Sequence, residues 1–187
     1  MMKLKHVADL LFEGRLLKKI PRSGFQFLGA GNESVAEHCF LTTLIAYVIA
    51  RLNPGINAEK LISLCLVHDL NESRVGDLNY VQKAYVTADE KKAVSHMTRH
   101  LPFGDHLAEL IDEFNLGTSQ EARLARDADQ LSLVLELKNL SDLGLAHADK
   151  WLDFVLKRLT TDTGKRLGEA ILEREQDSWW LKDYHEN

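Results

Sequence analysis

The sequence predicts an all-α fold, a single-domain bundle of about seven to nine helices around a central buried helix over Ala58–Asn71. Three observations predict it. Apolar residues recur at helical spacing along most of the chain, and no stretch alternates apolar and polar as a half-buried strand would. Helix-start signals stand directly ahead of the apolar runs. Three prolines and eleven glycines in 187 residues are too few for a turn-rich sandwich or propeller. With 45% hydrophobic residues the chain can bury a full core without disulfides or a metal.

From Lys3 to about Lys19, Val7, Leu10, Leu11, Leu16 and Leu17 fall at helical spacing, and Pro21 and Gly24 stop the helix. A loop with Gly29 and Gly31 leads to Ser34-Val35-Ala36-Glu37, a capping box that opens a helix running to Leu52, before Asn53-Pro54-Gly55. Asn57 caps the next helix, Ala58–Asn71, whose centre Leu61–Val67 is apolar on nearly every face, the mark of a buried element. Thr87-Ala88-Asp89-Glu90 reads as a second capping box for a helix to about His100. A short helix spans about Asp105–Asn115 and stops at Gly117; Ser119 opens a long one to about Leu143, ahead of Gly144. Helices near Ala148–Leu159 and Lys165–Lys182 complete a tail, residues 145–187, expected to pack on the same domain.

The charge balance, 23 Lys and Arg against 28 Asp and Glu, gives a net charge of −5 and no basic field for a nucleic-acid polymer. The start of the chain is charged and lacks the apolar core of a signal peptide. The longest apolar run, around Leu61–Val67, is too short to span a membrane. Cys39 and Cys65, with no third or fourth cysteine near them, read as buried free thiols of a reducing cytosol. These points predict a cytoplasmic protein with no membrane partner.

The most apolar helix ends in charge: His68-Asp69, then Asn71-Glu72, Arg74 and Asp77. Burying such groups is costly unless partners or a metal compensate. His68 and Glu72 share a helix face at a spacing of four, and Asp69 can converge with His68 on a point beyond the helix end. One His-Asp pair among eight histidines carries little weight by itself. Two further residues add weight: His38 stands in the first turn of its helix, and Asp129 enters a strongly apolar helix on a stripe with Ala122, Ala125 and Ser132. Two histidines and two aspartates on three helices suit one divalent transition metal (Mn²⁺, Fe²⁺, Co²⁺, Ni²⁺ or Zn²⁺) better than Ca²⁺. Glu72 is then the nearest group to orient a water or carry its proton. Singly, each reads more plainly: His38 as a satisfied helix-start residue, Asp129 as a cap, Glu72 and Asp77 as solvated carboxylates. His6, His96, His100, His106, His147 and His185 sit on polar stretches and read as surface residues, and Trp179-Trp180 as packing for the last helix or a partner.

At these residues the sequence resembles the HD-domain metal-dependent phosphohydrolase superfamily, whose pattern of His, His-Asp and distant Asp is met by His38, His68-Asp69 and Asp129. Within it, L-K-K-I-P-R-S-G-F, N-E-S-V-A-E-H, H-D-L-N-E-S-R-V-G-D and D-A-D-Q-L, spread over residues 16–131, resemble the small 5′-deoxynucleotidase group. The resemblance implies hydrolysis of deoxyribonucleoside 5′-monophosphates by a homodimer with one divalent metal per chain. It assigns Arg22 to the substrate phosphate; apart from the resemblance, Arg74 or Lys18 is a further candidate to stabilise the phosphate charge. Glu72 falls to the attacking water, and Asp77 to the sugar. Phe25 stands where such enzymes commonly carry a tryptophan that excludes a ribose 2′-hydroxyl, and L-N-Y-V-Q-K-A-Y after Asp77 lacks their proline. Both departures touch substrate choice, so the base and the deoxy or ribo preference stay open. Two other readings stay open as well: a phosphodiesterase or dNTP- or (p)ppGpp-directed hydrolase, and a non-catalytic helical module with a structural metal. A single His-Asp pair without extra histidines to build a bimetal site favours the monoester.

Overall fold

The computed structural model describes residues 2–181 and contains α1 (Met2–Leu16), α2 (Phe25–Leu28), α3 (Val35–Leu52), α4 (Ala58–Val67), α5 (Glu72–Val75), α6 (Tyr80–Lys83), α7 (Glu90–Thr98), α8 (Gly104–Leu116), α9 (Gln120–Asp142), α10 (Ala146–Leu156), α11 (Asp162–Leu172) and α12 (Ser178–Leu181). The single turns α2, α5, α6 and α12 apart, eight helices of nine or more residues remain, within the predicted number. Among the described residues there is no strand, only an isolated antiparallel bridge between Pro21 and Ser34.

Local chemistry accounts for the boundaries. Ser34 accepts from the Glu37 backbone N–H at 3.3 Å while the Glu37 carboxylate accepts from the Ser34 N–H at 2.7 Å, closing the predicted capping box. Asn57 accepts from the Lys60 N–H, and Ser119 from the Ala122 N–H, opening α4 and α9 as expected. Ahead of α7 the cap is Asp89, which accepts from the Lys92 N–H. The predicted Thr87–Glu90 box is therefore replaced by a cap two residues later. A capping box the sequence reading missed joins Asn79 and Gln82 at α6.

Two predicted helices end early. Helix α4 stops at Val67, because Leu70, Glu72 and Ser73 donate to carbonyls three residues back and wind the chain into tight turns through His68–Asn71. The last long helix stops at Leu172. The Gln176 N–H then donates to Asp142, tying the following turn to the end of α9. Lys182 and His185 lie outside the described residues.

Helix α9 packs against α3, α4, α8, α10 and α11, more partners than α4, because 23 residues reach across both cores. One core gathers Ile49, Leu61, Leu64, Ile111, Ala125 and Leu131; the other gathers Phe25, Leu28, Val134, Leu137 and Leu152. Helix α4 is not buried on every face, since Leu66 is exposed. Helix α3 also departs from expectation: by length and composition, with mean hydropathy 1.4 over 18 residues, it is long and apolar enough to cross a membrane. Its inner face nonetheless carries His38, Thr42, Ile45, Ala46 and Ile49 into the protein interior.

Candidate metal centre

Three helices and two turns deliver the site. The α3 capping box starts the helix one turn ahead of His38 and fixes the direction in which its fully buried imidazole points. The α4 C-terminus delivers His68 and Asp69, and α9 delivers Asp129 next to the small residues Ala125 and Ala128, which leave room for it. The Pro21–Ser34 bridge, with Arg22 N–H to Glu33 O at 2.8 Å and Val35 N–H to Ile20 O at 2.9 Å, lays the Arg22 loop along the start of α3.

The ring nitrogens are sorted by their partners. His68 Nδ1 lies 2.8 Å from the Cys65 carbonyl, which can only accept, so Nδ1 carries a proton and Nε2 is the nitrogen that can turn its lone pair to a cation. His38 Nδ1 lies 3.2 Å from Ser132 Oγ. Both Nε2 atoms turn toward the carboxylates: His68 to Asp69 Oδ2 at 3.1 Å, His38 to Asp129 Oδ1 at 3.0 Å and to Asp69 Oδ2 at 3.7 Å. The donor atoms of His38, His68 and Asp69 lie within 4.8 Å of one another. His38 Nε2, His68 Nε2, Asp69 Oδ2 and Glu72 Oε2 are buried without a hydrogen-bond partner among the described residues. Buried orphans of this kind are costly, and His38, His68 and Asp69, whose donor atoms lie within 4.8 Å of one another, fit a cation.

The electrostatics agree. Asp69, Asp129, Glu72 and Asp77 surround one guanidinium, that of Arg22, whose Nη1 lies 3.5 Å from Asp69 Oδ2 and 3.9 Å from Asp77 Oδ2. Burial alone would discharge Arg22, but Asp129, Asp69, Asp77 and Glu72 together hold it charged well above its ordinary range. Burial, then Asp69 and Asp77, pushes the Glu72 carboxyl up to about 9. Burial opposes ionisation of Asp129 and Asp69 too, yet the imidazoles facing them hold both below the usual carboxylate range. Burial, then Arg22, lowers His38; for His68 the adjacent Asp69 outweighs burial and raises it to about 9. The acidic excess of this cluster is what a divalent cation would neutralise.

The structure therefore brings together His38, His68, Asp69, Asp129, Glu72, Arg22 and Asp77. Asp77 also accepts the Ser23 N–H at 2.8 Å and so fastens the Arg22 loop to the turn after α5. Two predicted substrate contacts are engaged elsewhere. Arg74 forks onto Glu13 of α1, with Nε to Oε2 at 2.9 Å, so its guanidinium already has a carboxylate. Phe25 is buried in the core shared with Val134 and Leu137.

Sequence reading missed several supports. Gln130 Nε2 donates to Asp129 Oδ2 at 2.8 Å, and Phe114 lies against the His68 ring with centroids 4.6 Å apart. Glu33 sits 3.9 Å from Arg22, its carboxyl pushed up to about 7 by burial against the pull of Arg22. Gln130 and Glu33 each adjoin a residue the sequence singles out, Asp129 and Ser34. Both also fall inside the motifs N-E-S-V-A-E-H and D-A-D-Q-L that carry the resemblance. Of the remaining histidines, His96, His100, His106 and His147 are exposed as expected, and His6 is half-buried, its ring 4.9 Å from that of His100.

The sequence matches the family described as HD domain over residues 15–171. It is 32% identical over 133 residues to a Danio rerio protein named 5′-deoxynucleotidase HDDC2, covering 68% of this chain and 66% of that protein. The Homo sapiens protein of the same name is 30% identical, with 68% of this chain and 64% of that protein covered. The match thus spans just under two thirds of the length of these relatives. A solved structure of a conserved hypothetical protein from Pyrococcus furiosus superposes with a TM-score of 0.72 at 26% identity, covering 89% of this chain and 97% of that one.

Proposed function

Because the chain belongs to the HD domain family, we propose that it is a metal-dependent phosphohydrolase that converts deoxyribonucleoside 5′-monophosphates to deoxynucleosides and phosphate. One observation carries the reading: the unpartnered donor atoms of His38, His68 and Asp69 meet within 4.8 Å, beside Asp129, Arg22 and Glu72. The names of the relatives that are about 30% identical support the substrate class.

His38, His68, Asp69 and Asp129 would hold one divalent ion, and this mixed imidazole and carboxylate set suits Mn²⁺, Fe²⁺, Co²⁺, Ni²⁺ or Zn²⁺. When bound, such an ion polarises a phosphoryl oxygen and acidifies a water. The residues of the chain do the rest. Arg22, buried beside Asp69 and kept charged, binds the phosphate oxygens and stabilises the charge that grows on them. Burial, Asp69 and Asp77 hold the Glu72 carboxyl protonated; with a cation to offset that charge it would ionise and present Oε2, free of other partners, to take the proton of the attacking water. The new O–P bond forms as the P–O5′ bond breaks, and the deoxynucleoside leaves once its oxygen has gained a proton. Asp77 holds the Arg22 loop through Ser23 and offers its carboxylate to a sugar hydroxyl.

The working form is a homodimer. The outer face of α3 carries Phe40, Leu44, Tyr47 and Val48 at helical spacing, and Phe40 is 70% exposed. An apolar stripe of this kind on a helix that also carries a metal ligand is suited to a second copy. Phosphate release from deoxyribonucleoside monophosphates, measured with each metal, tests the activity; release from none of them would refute it.

A further inference from the structure

Two exposed aromatic rings meet on the segments that carry Arg22 and Asp77. Phe27 of α2 and Tyr80 of α6 have ring centroids 5.5 Å apart at an interplanar angle of 41°. Phe27 is 46% exposed and Tyr80 72%, so each keeps much of its surface in water despite the contact. Paired apolar rings left in water on the loops of a binding site are a surface that a ligand can cover.

The neighbouring residues fix where the pair stands. The turns after Arg22 run straight into α2: the Gln26 N–H donates to Ser23 O at 3.2 Å, and the Phe27 N–H to Gly24 O at 3.1 Å. Phe27 therefore lies one turn past Ser23, about 6–8 Å further along the helix axis. The Ser23 N–H donates to Asp77 Oδ2 at 2.8 Å and ties the two segments together. Ser23 Oγ is buried without a hydrogen-bond partner among the described residues, which marks this tie as a place where a polar ligand group is expected. From Asp77, Tyr80 is three residues on, at most about 10 Å of chain. Asn79 Oδ1 accepts the Gln82 N–H at 2.9 Å and Gln82 Oε1 the Asn79 N–H at 3.0 Å, so a capping box holds the backbone that Tyr80 leaves from. Along both segments the order is thus Arg22, then Ser23 with Asp77, then the aromatic pair. A nucleotide has the same order: phosphate, sugar, base. Phe25 does not compete for the last place, since it is buried with Val134 and Leu137 and a Cβ on Gly31 would come 3.0 Å from its ring.

We propose that Phe27 and Tyr80 form the nucleobase platform, on which the base stacks while Arg22 binds the phosphate and Asp77 the sugar. The inference rests on the phosphohydrolase reading and names the part of the site that recognises the base. Rings with centroids 5.5 Å apart leave no room for a base between them, since each face needs about 3.5 Å, so the base lies on their exposed faces. Stacking reads the face of a base rather than its hydrogen-bonding edge, so the platform accepts any of the four bases.

The test compares deoxyadenosine 5′-monophosphate with the methyl glycoside of 2-deoxyribofuranose 5-phosphate, which keeps the phosphate and sugar but has no base, using the metal-loaded full chain. The wild-type protein should favour the nucleotide by about tenfold or more in kcat/KM, chiefly through KM. In Phe27→Leu/Tyr80→Leu the preference should fall to within about threefold, with kcat/KM for the baseless compound held within about twofold. Tyr80→Phe, which keeps the ring face, should keep the preference. No preference in the wild type, its persistence in the double variant, its loss in Tyr80→Phe, or an equal loss on both substrates would overturn the platform and leave the phosphohydrolase reading standing. If neither compound releases phosphate, that reading falls, and calorimetric titration of the same two compounds decides the platform. Binding of the nucleotide about tenfold tighter in the wild type, and not in the double variant, upholds it; equal binding of the two compounds by the wild type refutes it.

Discussion

Glu72 is the residue on which catalysis and stability separate most cleanly. Its Oε2 is buried and unpartnered, and it is not among the proposed metal ligands. Glu72→Gln keeps the shape and removes the base, so phosphate release should fall by about 100-fold or more while metal content holds and Tm does not fall. Gln130 acts one step further out. By holding Asp129 Oδ2 at 2.8 Å it orients the carboxylate for a cation. Gln130→Leu should weaken Mn²⁺ binding by about 10- to 100-fold in calorimetry, and Gln130→Asn should recover part of it. Glu33 gives a pH signature. Its folded carboxyl, at about 7 against an ordinary 4.5, keeps its proton longer than in the unfolded chain. Glu33 therefore lowers stability progressively as pH rises from about 4.5 through 7, and has no effect below that window. Glu33→Gln should raise Tm at pH 8, by an amount equivalent to about 1 kcal/mol after solvent screening is allowed for, and leave it unchanged at pH 4. An equal effect at both values would contradict this.

At the scale of elements, Asp127 is the strongest tie between α9 and the segment that follows α10. Almost fully buried, it accepts from the backbone and hydroxyl groups of Thr160 and Thr161, and Thr161 then caps α11 through the Gly164 N–H. Gly164 must be glycine, since a Cβ there would fall 2.3 Å from Asp127 Oδ2. Asp127→Ala should cost about 2–4 kcal/mol by leaving these donors unpaired. Gly164→Ala should cost about 1–3 kcal/mol by overpacking. The double variant should cost less than the sum, because both break one contact. Nothing in R-D-A-D-Q-L distinguishes Asp127, which fastens a loop, from Asp129, two positions on, which faces the histidines. The two differ only in which side of α9 they leave from, and that is decided by neighbours 30 or more residues away. Caps were legible where the signal is local, as at Ser34, Asn57 and Ser119. The end of α4 was not, because the turn through His68–Asn71 puts His68 and Asp69 into the site, and tertiary demand overrides helical periodicity there.

For the whole molecule, the all-α class followed directly from apolar spacing, and the four proposed ligands were legible because each interrupts an apolar stretch that should have been bland. Arg74 meets Glu13 and Phe25 a core, contacts the sequence does not reveal, because a charged or aromatic residue near a motif looks the same whether it meets a substrate, a carboxylate or a core. The outer face of α3 was likewise hidden: apolar composition shows that Phe40 and Tyr47 seek cover, not whether this chain supplies it. Phe40→Glu/Tyr47→Glu should convert a dimer to a monomer in sedimentation; a wild type that sediments as a monomer would contradict the homodimer. The central claim is that one divalent metal, held by His38, His68, Asp69 and Asp129, serves a phosphomonoesterase. The measurement that tests it most directly is phosphate release from a full panel of deoxy- and ribonucleoside 5′-monophosphates, with the protein loaded in turn with Mn²⁺, Co²⁺, Ni²⁺, Zn²⁺ and Mg²⁺. The account predicts turnover of deoxyribonucleotides with at least one transition metal, abolished by chelation and by His68→Ala. Release from no nucleotide with any metal, or release that persists in His68→Ala, would contradict it.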